Sequence, residues 1–206
     1  MDLTKLTRQS YRRDRPGLPF LGQFRLAGAR AHEVCGPARR RLALWLAAET
    51  TGPVIWIRPA WHPDRLHMAG VRAEIDPARL IFVEPDRPED ILWSMEEGLR
   101  AGVVALMVAD LPDPPGLTPV RRLHLAAEAG VEAQGGLGLG LILTPGDGGA
   151  AGVESRWRLD PAQEAEADRW RLTRLRARDG GPAAWDVTRG PEGRATLAAH
   201  RVTEPA

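Results

Sequence analysis

Six residues, His32-Glu33-Val34-Cys35-Gly36-Pro37, decide the fold that this sequence predicts. They are typical of a short strand that ends in a Gly-Pro turn. A helix is predicted to follow at once, over about residues 38–49, because Leu42, Trp45 and Leu46 recur at the spacing of one apolar helix face. A strand, a tight turn and a helix in this order form the setting in which phosphate-binding loops occur.

The turn begins like such a loop, whose pattern is G-x-x-x-x-G-K-[ST]. Counted from Gly36, the second glycine, the lysine and the hydroxyl residue would stand at positions 41, 42 and 43. The sequence has Arg41, Leu42 and Ala43 there, so neither the phosphate-binding lysine nor the magnesium-binding hydroxyl is present. We interpret Gly36, Pro37, Arg41, Leu42 and Ala43 as a vestigial nucleotide loop, and we predict no cofactor and no enzymatic activity.

Length and composition favour a single soluble domain. The chain has 206 residues, 43% of them apolar and 27% charged, and no apolar run approaches the roughly 20 residues of a membrane span. Cys35 is the single cysteine, which excludes an intramolecular disulfide and agrees with a reducing cytoplasm. We therefore expect a cytoplasmic protein without a secretory signal and without membrane partners.

The charge distribution and the Pro/Gly pattern divide the chain into three parts. Residues 1–41 contain ten Lys and Arg residues against three acids, so this end of the chain is suited to nucleic acid or to an acidic protein. We expect a flexible basic arm over residues 1–19, a core over residues 20–190 and a disordered tail over residues 191–206.

Apolar runs between the predicted helices indicate a mostly parallel sheet. Val54–Ile57, Leu80–Val83 and residues 103–108 are apolar throughout, so all three are expected in the centre of the sheet. A helix between the last two is expected to be capped by Asp86, with Pro88 in its first turn. Later segments, at residues 156–159, 169–175 and 185–188, alternate polar and apolar positions. This pattern is typical of half-exposed antiparallel strands, which would extend the sheet at one edge.

Over about residues 32–128 this order resembles the RecA-like ATPase core, a three-layer α/β sandwich. The likeness depends on HEVCGP, on VIWIRPAWHPDRLHMAGV and on VVALMVADL, which stands at the Walker B position. More specifically, the chain resembles the ImuA family of RecA-like accessory proteins from bacterial damage-inducible mutagenesis cassettes. The motifs that carry this second resemblance are HEVCGP, LIFVEPDRPEDILWSMEEGLRAG, TPVRRLHLAAEAG, RWRLTRLRARDGG and AWDV.

The resemblance implies a non-catalytic adaptor in SOS-induced translesion DNA synthesis. The implied partners are an inactive Y-family-polymerase-like protein, an error-prone replicative-type polymerase, RecA and DNA. In the RecA pattern a glutamate after the second core strand activates water, and this chain has Ala60 there; Asp110 keeps the Walker B position. An alternative in the same fold group is a SulA-like inhibitor of the tubulin-like cell-division protein.

Arg39, Arg40 and Arg41 are the clearest candidates for a binding site. Cations in the first turn of a helix oppose its macrodipole, at about 0.3–1 kcal/mol each when exposed. One interpretation is that they bind a phosphate, DNA or an acidic partner, and the other is that they are solvated. In either case we expect the fold to survive their replacement by alanine, because no buried pairing is required of them.

Three further patterns in the sequence bear on function. Asp110 is either a vestigial Walker B acid or a strand-end acid in a turn. The late arginines interleave with Trp157 and Trp170 and form either a single-strand-binding platform or the solvated face of strands whose tryptophans are core. The five histidines are scattered, and no metal site is predicted.

Overall fold

The computed structural model describes residues 16–163, 168–178, 180–189 and 195–199. It contains eleven strands and four α-helices within these residues. The strands are β1 Gly17–Phe20, β2 Phe24–Ala27, β3 Arg30–Cys35, β4 Val54–Ile57, β5 Leu80–Val83, β6 Leu106–Asp110, β7 Leu139–Leu143, β8 Ser155–Pro161, β9 Asp168–Ala177, β10 Ala183–Arg189 and β11 Ala195–Ala199. The helices are α1 Arg39–Ala48, α2 Met68–Arg72, α3 Pro88–Ala101 and α4 Leu117–Gln134.

Nine strands form one mixed sheet in the order β11-β10-β9-β8-β3-β7-β6-β4-β5. The six strands from β8 to β5 run parallel to one another, whereas β9, β10 and β11 continue the sheet by antiparallel pairing. The prediction of a parallel sheet extended by later antiparallel strands is therefore confirmed for β9 and β10. Residues 156–159, expected among the antiparallel strands, lie in β8, which pairs parallel with β3 and antiparallel with β9. β1 and β2 form a separate antiparallel hairpin.

Two apolar clusters cover the two faces of the sheet. One lies between the sheet, α1 and the β1–β2 hairpin, and the other lies between the sheet, α3 and α4. Burial on both faces explains why the central strands are apolar at successive positions. The architecture is that of an α/β sandwich. No helix within the described residues is both long and apolar enough to cross a membrane.

The helices α3 and α4 pack so closely that one contact point excludes every side chain. A Cβ atom at Gly130 in α4 would lie 2.0 Å from the carbonyl oxygen of Leu99 in α3. Pro88 stands in the first turn of α3, as predicted, and the helix ends at Ala101, where Gly102 follows as the C-cap in the left-handed conformation. The predicted cap is wrong, because Arg87 and not Asp86 is the N-cap residue, and it makes no capping bond through its side chain.

The expected position of β5 is wrong. β4 and β6 lie inside the sheet, but β5 is its edge strand, with Ile81 49% and Phe82 38% exposed. An apolar run indicates strand structure equally well at an edge and in the centre, so periodicity alone did not separate the two cases. The third predicted strand begins later than expected, at Leu106, because Val103 lies outside it and is 71% exposed.

The predicted arm and tail extend too far towards the core. Gly17–Phe20 forms β1, where Leu18 and Phe20 are buried, and Ala195–Ala199 pairs with β10 as β11. Leu18 and Phe20 hold β1 by burying against the apolar cluster on the α1 face, and β11 is held by its backbone pairing with β10. The remaining parts of the two predictions, residues 1–15, 191–194 and 200–206, lie outside the described residues.

Candidate functional site

The predicted site residues meet at the carboxyl edge of the parallel strands. β3 leads into Gly36 and α1, while β6 ends at Asp110, with only β7 between the two strands. In open α/β sheets this edge is where ligands usually bind. A small cavity of about 60 Å³ lies there, and its polar lining consists of Arg39, Arg40, Arg58, His62, Asp64 and Asp110.

Asp110 is held by two arginines of the predicted cluster. Its side chain is 7% exposed, and its Oδ2 atom accepts a hydrogen bond from Arg40 Nε at 2.5 Å. Its Oδ1 atom lies 3.6 Å from Arg39 Nε. Arg40 also reaches Asp64, at 3.4 Å. Each oxygen of the carboxylate therefore faces a different guanidinium group, and Asp110 is more than an acid in a turn.

Arg41 points to a different buried acid. Its Nη1 atom lies 2.9 Å from Oε1 of Glu74, whose side chain is 1% exposed, and Arg189 of β10 contacts the same oxygen. The expectation that the three arginines lack buried pairing is therefore wrong. Because of these pairs, their replacement by alanine is expected to lower the stability of the fold. The arginines are attracted into the first turn of α1 by acids from three other segments, which offsets their repulsion by the helix dipole.

The backbone of the vestigial loop is already hydrogen bonded to protein. The N–H groups of Gly36 and Ala38 donate to the carbonyls of Gly146 and Leu159, both at 3.1 Å, and the N–H of Arg39 donates to Gly36. Pro37 has no N–H group. A P-loop cradles phosphates with its backbone N–H groups. From Gly36 to Arg39, none of these groups is left for a phosphate.

The residues at the lysine and hydroxyl positions are part of the core. Leu42 and Ala43 are fully buried in the apolar cluster on the α1 face of the sheet. Their side chains contribute to packing, and polar replacements at these two positions would carry polar groups into the core. The local structure of α1 therefore fits apolar residues where a nucleotide loop carries polar ones.

Two further residues of this cavity were not identified from the sequence. Arg58 follows β4, pairs with Glu84 and stacks on the ring of Phe82 at 5.3 Å. His62 lies in the loop that follows, where its Nδ1 atom accepts from the amide of Asp64 at 3.2 Å. Their position after a central parallel strand is the one sequence signal that could have indicated them. Ala60, at the position of the water-activating glutamate, has only a methyl side chain, and its backbone N–H donates a hydrogen bond to the carbonyl of Pro85.

The late arginines are mostly paired, and the tryptophans among them are core residues. Trp157 and Trp170 are buried, as one of the two interpretations expected. Arg156 contacts buried Glu33, Arg158 contacts Asp147 and Asp160, and Arg171 lies 3.6 Å from Asp186. Burial of the two tryptophans leaves no open ring face for base stacking. The ion pairs of Arg156, Arg158 and Arg171 leave no continuous track of unpaired cations at these positions of β8 and β9.

The carboxyl-edge site therefore combines cations and acids that neutralise one another around a small cavity. Among the described residues, no three His, Cys, Asp or Glu side chains lie close enough together to hold a metal ion. No protein-family model matches the chain, and no curated protein matches its sequence.

Proposed function

We propose that this chain is a non-catalytic adaptor of the ImuA family with a RecA-like sandwich fold, acting in SOS-induced translesion DNA synthesis. The observation that carries the proposal is the pairing of Asp110 with Arg39 and Arg40. In P-loop ATPases, the Walker B aspartate and the loop hydroxyl hold magnesium, and the loop lysine holds the phosphates. Here guanidinium groups from the chain itself neutralise the acid at that position.

The arrangement of the sheet supports the RecA-like part of the proposal. The strand that leads into the loop and the strand that ends in the acid run parallel, with one strand between them. Their carboxyl ends therefore meet at one edge, as a P-loop and a Walker B strand must do. The antiparallel extension from β9 to β11 agrees with the later sheet extension expected from the resemblance.

The proposal excludes an ATPase mechanism for physical reasons. The amides of Gly36, Ala38 and Arg39 donate to protein carbonyls, the lysine position is a buried leucine, and the position of the water-activating glutamate is Ala60. An adaptor needs surfaces that bind partners and no chemistry of its own. Its proposed partners are the Y-family-polymerase-like protein, the error-prone replicative-type polymerase, RecA and DNA, and its proposed compartment is the cytoplasm.

The experiment that tests the proposal is affinity capture of the tagged full chain from bacteria with and without DNA damage. The expected result is damage-dependent recovery of the two polymerase-type proteins, identified by mass spectrometry. Recovery of the tubulin-like division protein in their place would favour the SulA-like alternative. Recovery of neither class after damage would contradict the adaptor role.

A separate prediction concerns ATP. Isothermal titration of the full chain with Mg-ATP is expected to show no micromolar binding, and a coupled assay is expected to show no hydrolysis. Asp110→Ala serves as the control, because contaminating ATPases would be indifferent to it. Turnover in the wild-type chain that disappears in Asp110→Ala would refute the non-catalytic assignment.

A further inference from the structure

The strand β5 forms one edge of the sheet, and no other strand of the described residues pairs with its outer side. It runs parallel to β4 without a bulge. Natural sheet edges are usually protected by charged side chains, proline or a bulge, but the sequence of β5 is Leu-Ile-Phe-Val. Ile81 and Phe82 are exposed on its two faces. The adaptor proposal assigns this apolar edge no role.

The inner side of β5 is hydrogen bonded to β4 and to the residues that follow β4. The carbonyls of Val83 and Pro85 accept from the N–H groups of Arg58 and Ala60, both at 3.0 Å. In a parallel ladder, both backbone groups of a residue point to the same neighbouring strand, and successive residues alternate between the two sides. The odd-numbered positions of this segment therefore bond towards β4, and the even-numbered positions point to the open side.

The open side presents a short series of backbone groups. They are the N–H and C=O groups of Phe82 and of Glu84, which directly follows β5, and the carbonyl of Leu80. The N–H of Leu80 is used within the chain, where it donates to the carbonyl of Pro77. Groups of this kind pair with a further strand. Such a strand must offer a donor opposite Leu80 but needs no acceptor there.

An antiparallel second copy of β5 meets this requirement. With a two-fold axis at Phe82, Phe82 of each copy exchanges both hydrogen bonds with Phe82 of the other, and the N–H of Glu84 donates to the carbonyl of Leu80. Ile81 then lies opposite Val83. No cross-strand pair in this register opposes like charges, and aromatic and β-branched side chains meet, which stabilises a sheet. The pattern of the open side is therefore complementary to itself.

We propose that β5 is a dimerisation surface, through which two copies of this chain join their sheets edge to edge about a two-fold axis. Contact between identical surfaces about such an axis is the commonest way in which soluble proteins form oligomers. In the dimer the exposed side chains of Ile81 and Phe82 are covered, and the open backbone groups of the edge are paired. The inference goes beyond the adaptor proposal and does not depend on it.

Helix α3 extends this surface beyond the strand. A groove of about 770 Å³ lies between the end of β5 and α3, and Val83 and Trp93 are part of its lining. The two-fold axis stands perpendicular to the joined sheet, so the α3 helices of both copies lie on the same face. Trp93 is 56% exposed and supplies apolar area there. Pairing of one short strand buries less than the roughly 800 Å² per partner of a typical stable interface, so we expect a reversible dimer.

The first test measures the mass of the full chain by sedimentation velocity over a range of concentrations. The wild type is expected to shift reversibly from a monomer of 22.5 kDa to a dimer. Ile81→Lys is expected to weaken dimerisation by about tenfold, because it carries a charge into the junction opposite Val83. Leu125→Lys is the matched control. It makes the same kind of change at an exposed apolar residue of α4 and should leave the equilibrium unchanged.

A second test uses cysteine cross-linking to measure the register. In a hydrogen-bonded antiparallel pair the Cα atoms lie about 5.5 Å apart, which is within reach of a disulfide. Phe82→Cys is therefore expected to form a disulfide-linked dimer in oxidised glutathione. Ile81→Cys is expected to form much less, because position 81 faces Val83 and not its own copy. The native Cys35 is buried and should contribute little background.

Circular dichroism and the Tm first establish that each variant is folded. A wild type that stays monomeric at every concentration would overturn the proposal and leave the edge to a strand of another protein. A dimer that Ile81→Lys does not weaken, or equal cross-linking of the two cysteine variants, would also overturn it, because the copies then meet on another surface or in another register. These outcomes are independent of the capture experiment, because a chain can dimerise whatever its cellular partners are.

Discussion

Glu33 shows how much of this structure depends on single buried charges. Its side chain is fully buried in β3, yet it accepts hydrogen bonds from the hydroxyl of Thr144 and from the amides of Gly149 and Ala150, and it pairs with Arg156. These bonds hold the loop after β7 against β3 and satisfy the carboxylate away from water. The sequence shows an acid within an apolar strand, but its partners are more than a hundred residues away, so no local pattern predicts them.

The neighbouring His32 leads to a prediction about pH. Burial lowers its pKa from 6.5 to about 4, so the unfolded chain binds a proton between these values that the folded chain does not bind. The contribution of His32 to the free energy of unfolding, about 3 kcal/mol, is therefore fully present above pH 6.5 and is lost as the pH falls towards 4. Urea unfolding followed between pH 7 and pH 4 measures the loss. In His32→Gln this part of the pH dependence should be absent, and an unchanged slope in that variant would contradict the assignment.

At the scale of helices and strands, the sequence predicted the elements better than their positions. Apolar runs and alternating patterns correctly indicated β4, β6, β8, β9 and β10, because periodicity reports which faces of a strand are covered. The edge position of β5 depends on which strands pair, and pairing is decided by contacts between distant segments. For the same reason the sequence predicted that Arg39, Arg40 and Arg41 start a helix, but did not predict the acids that they meet.

The contact of Arg41 and Arg189 with Glu74 joins α1 and β10 to the segment after α2. Arg41→Ala or Arg189→Ala alone should cost about 1 kcal/mol, because the other guanidinium group still neutralises Glu74. The double variant leaves a buried carboxylate unpaired and should cost about 3–5 kcal/mol, well above the sum of the single effects. Urea unfolding measures these costs.

The control for this prediction is the triple variant that adds Glu74→Gln to the double variant. It removes the unpaired charge and should recover part of the lost stability. If the double variant costs no more than the sum of the two single variants, Glu74 is not the shared partner that the geometry indicates.

The whole molecule is organised around one continuous sheet. The apolar cluster on the α1 face extends from the parallel strands to β9 and β10, and Trp45 of α1 meets Trp170 of β9 edge to face at 5.1 Å. The antiparallel extension therefore shares its core with the parallel half. The alternation of strands and helices predicted the fold class, whereas this shared core depends on packing between segments far apart in sequence.

A shared core predicts cooperative unfolding. Urea transitions followed by tryptophan fluorescence and by far-ultraviolet circular dichroism should coincide, with one midpoint for both. Trp45→Phe should lower that midpoint for both probes alike, because it weakens the contact between the two halves. An earlier fluorescence transition, with much of the circular dichroism signal retained, would show that β8–β11 unfold as a separate unit.

The position of Gly36 affects how a mutational scan of this chain is interpreted. Its φ angle is +88°, and a Cβ atom there would lie 2.7 Å from the carbonyl oxygen of Leu159, so every other residue would collide with β8. A saturation library would therefore return this position as intolerant, and its place at the start of a phosphate-loop pattern would invite the conclusion that a nucleotide binds there. The steric demand alone produces that result. In chains of this kind, glycine at the loop is evidence of close backbone packing, and only the lysine and hydroxyl positions can report on phosphate chemistry.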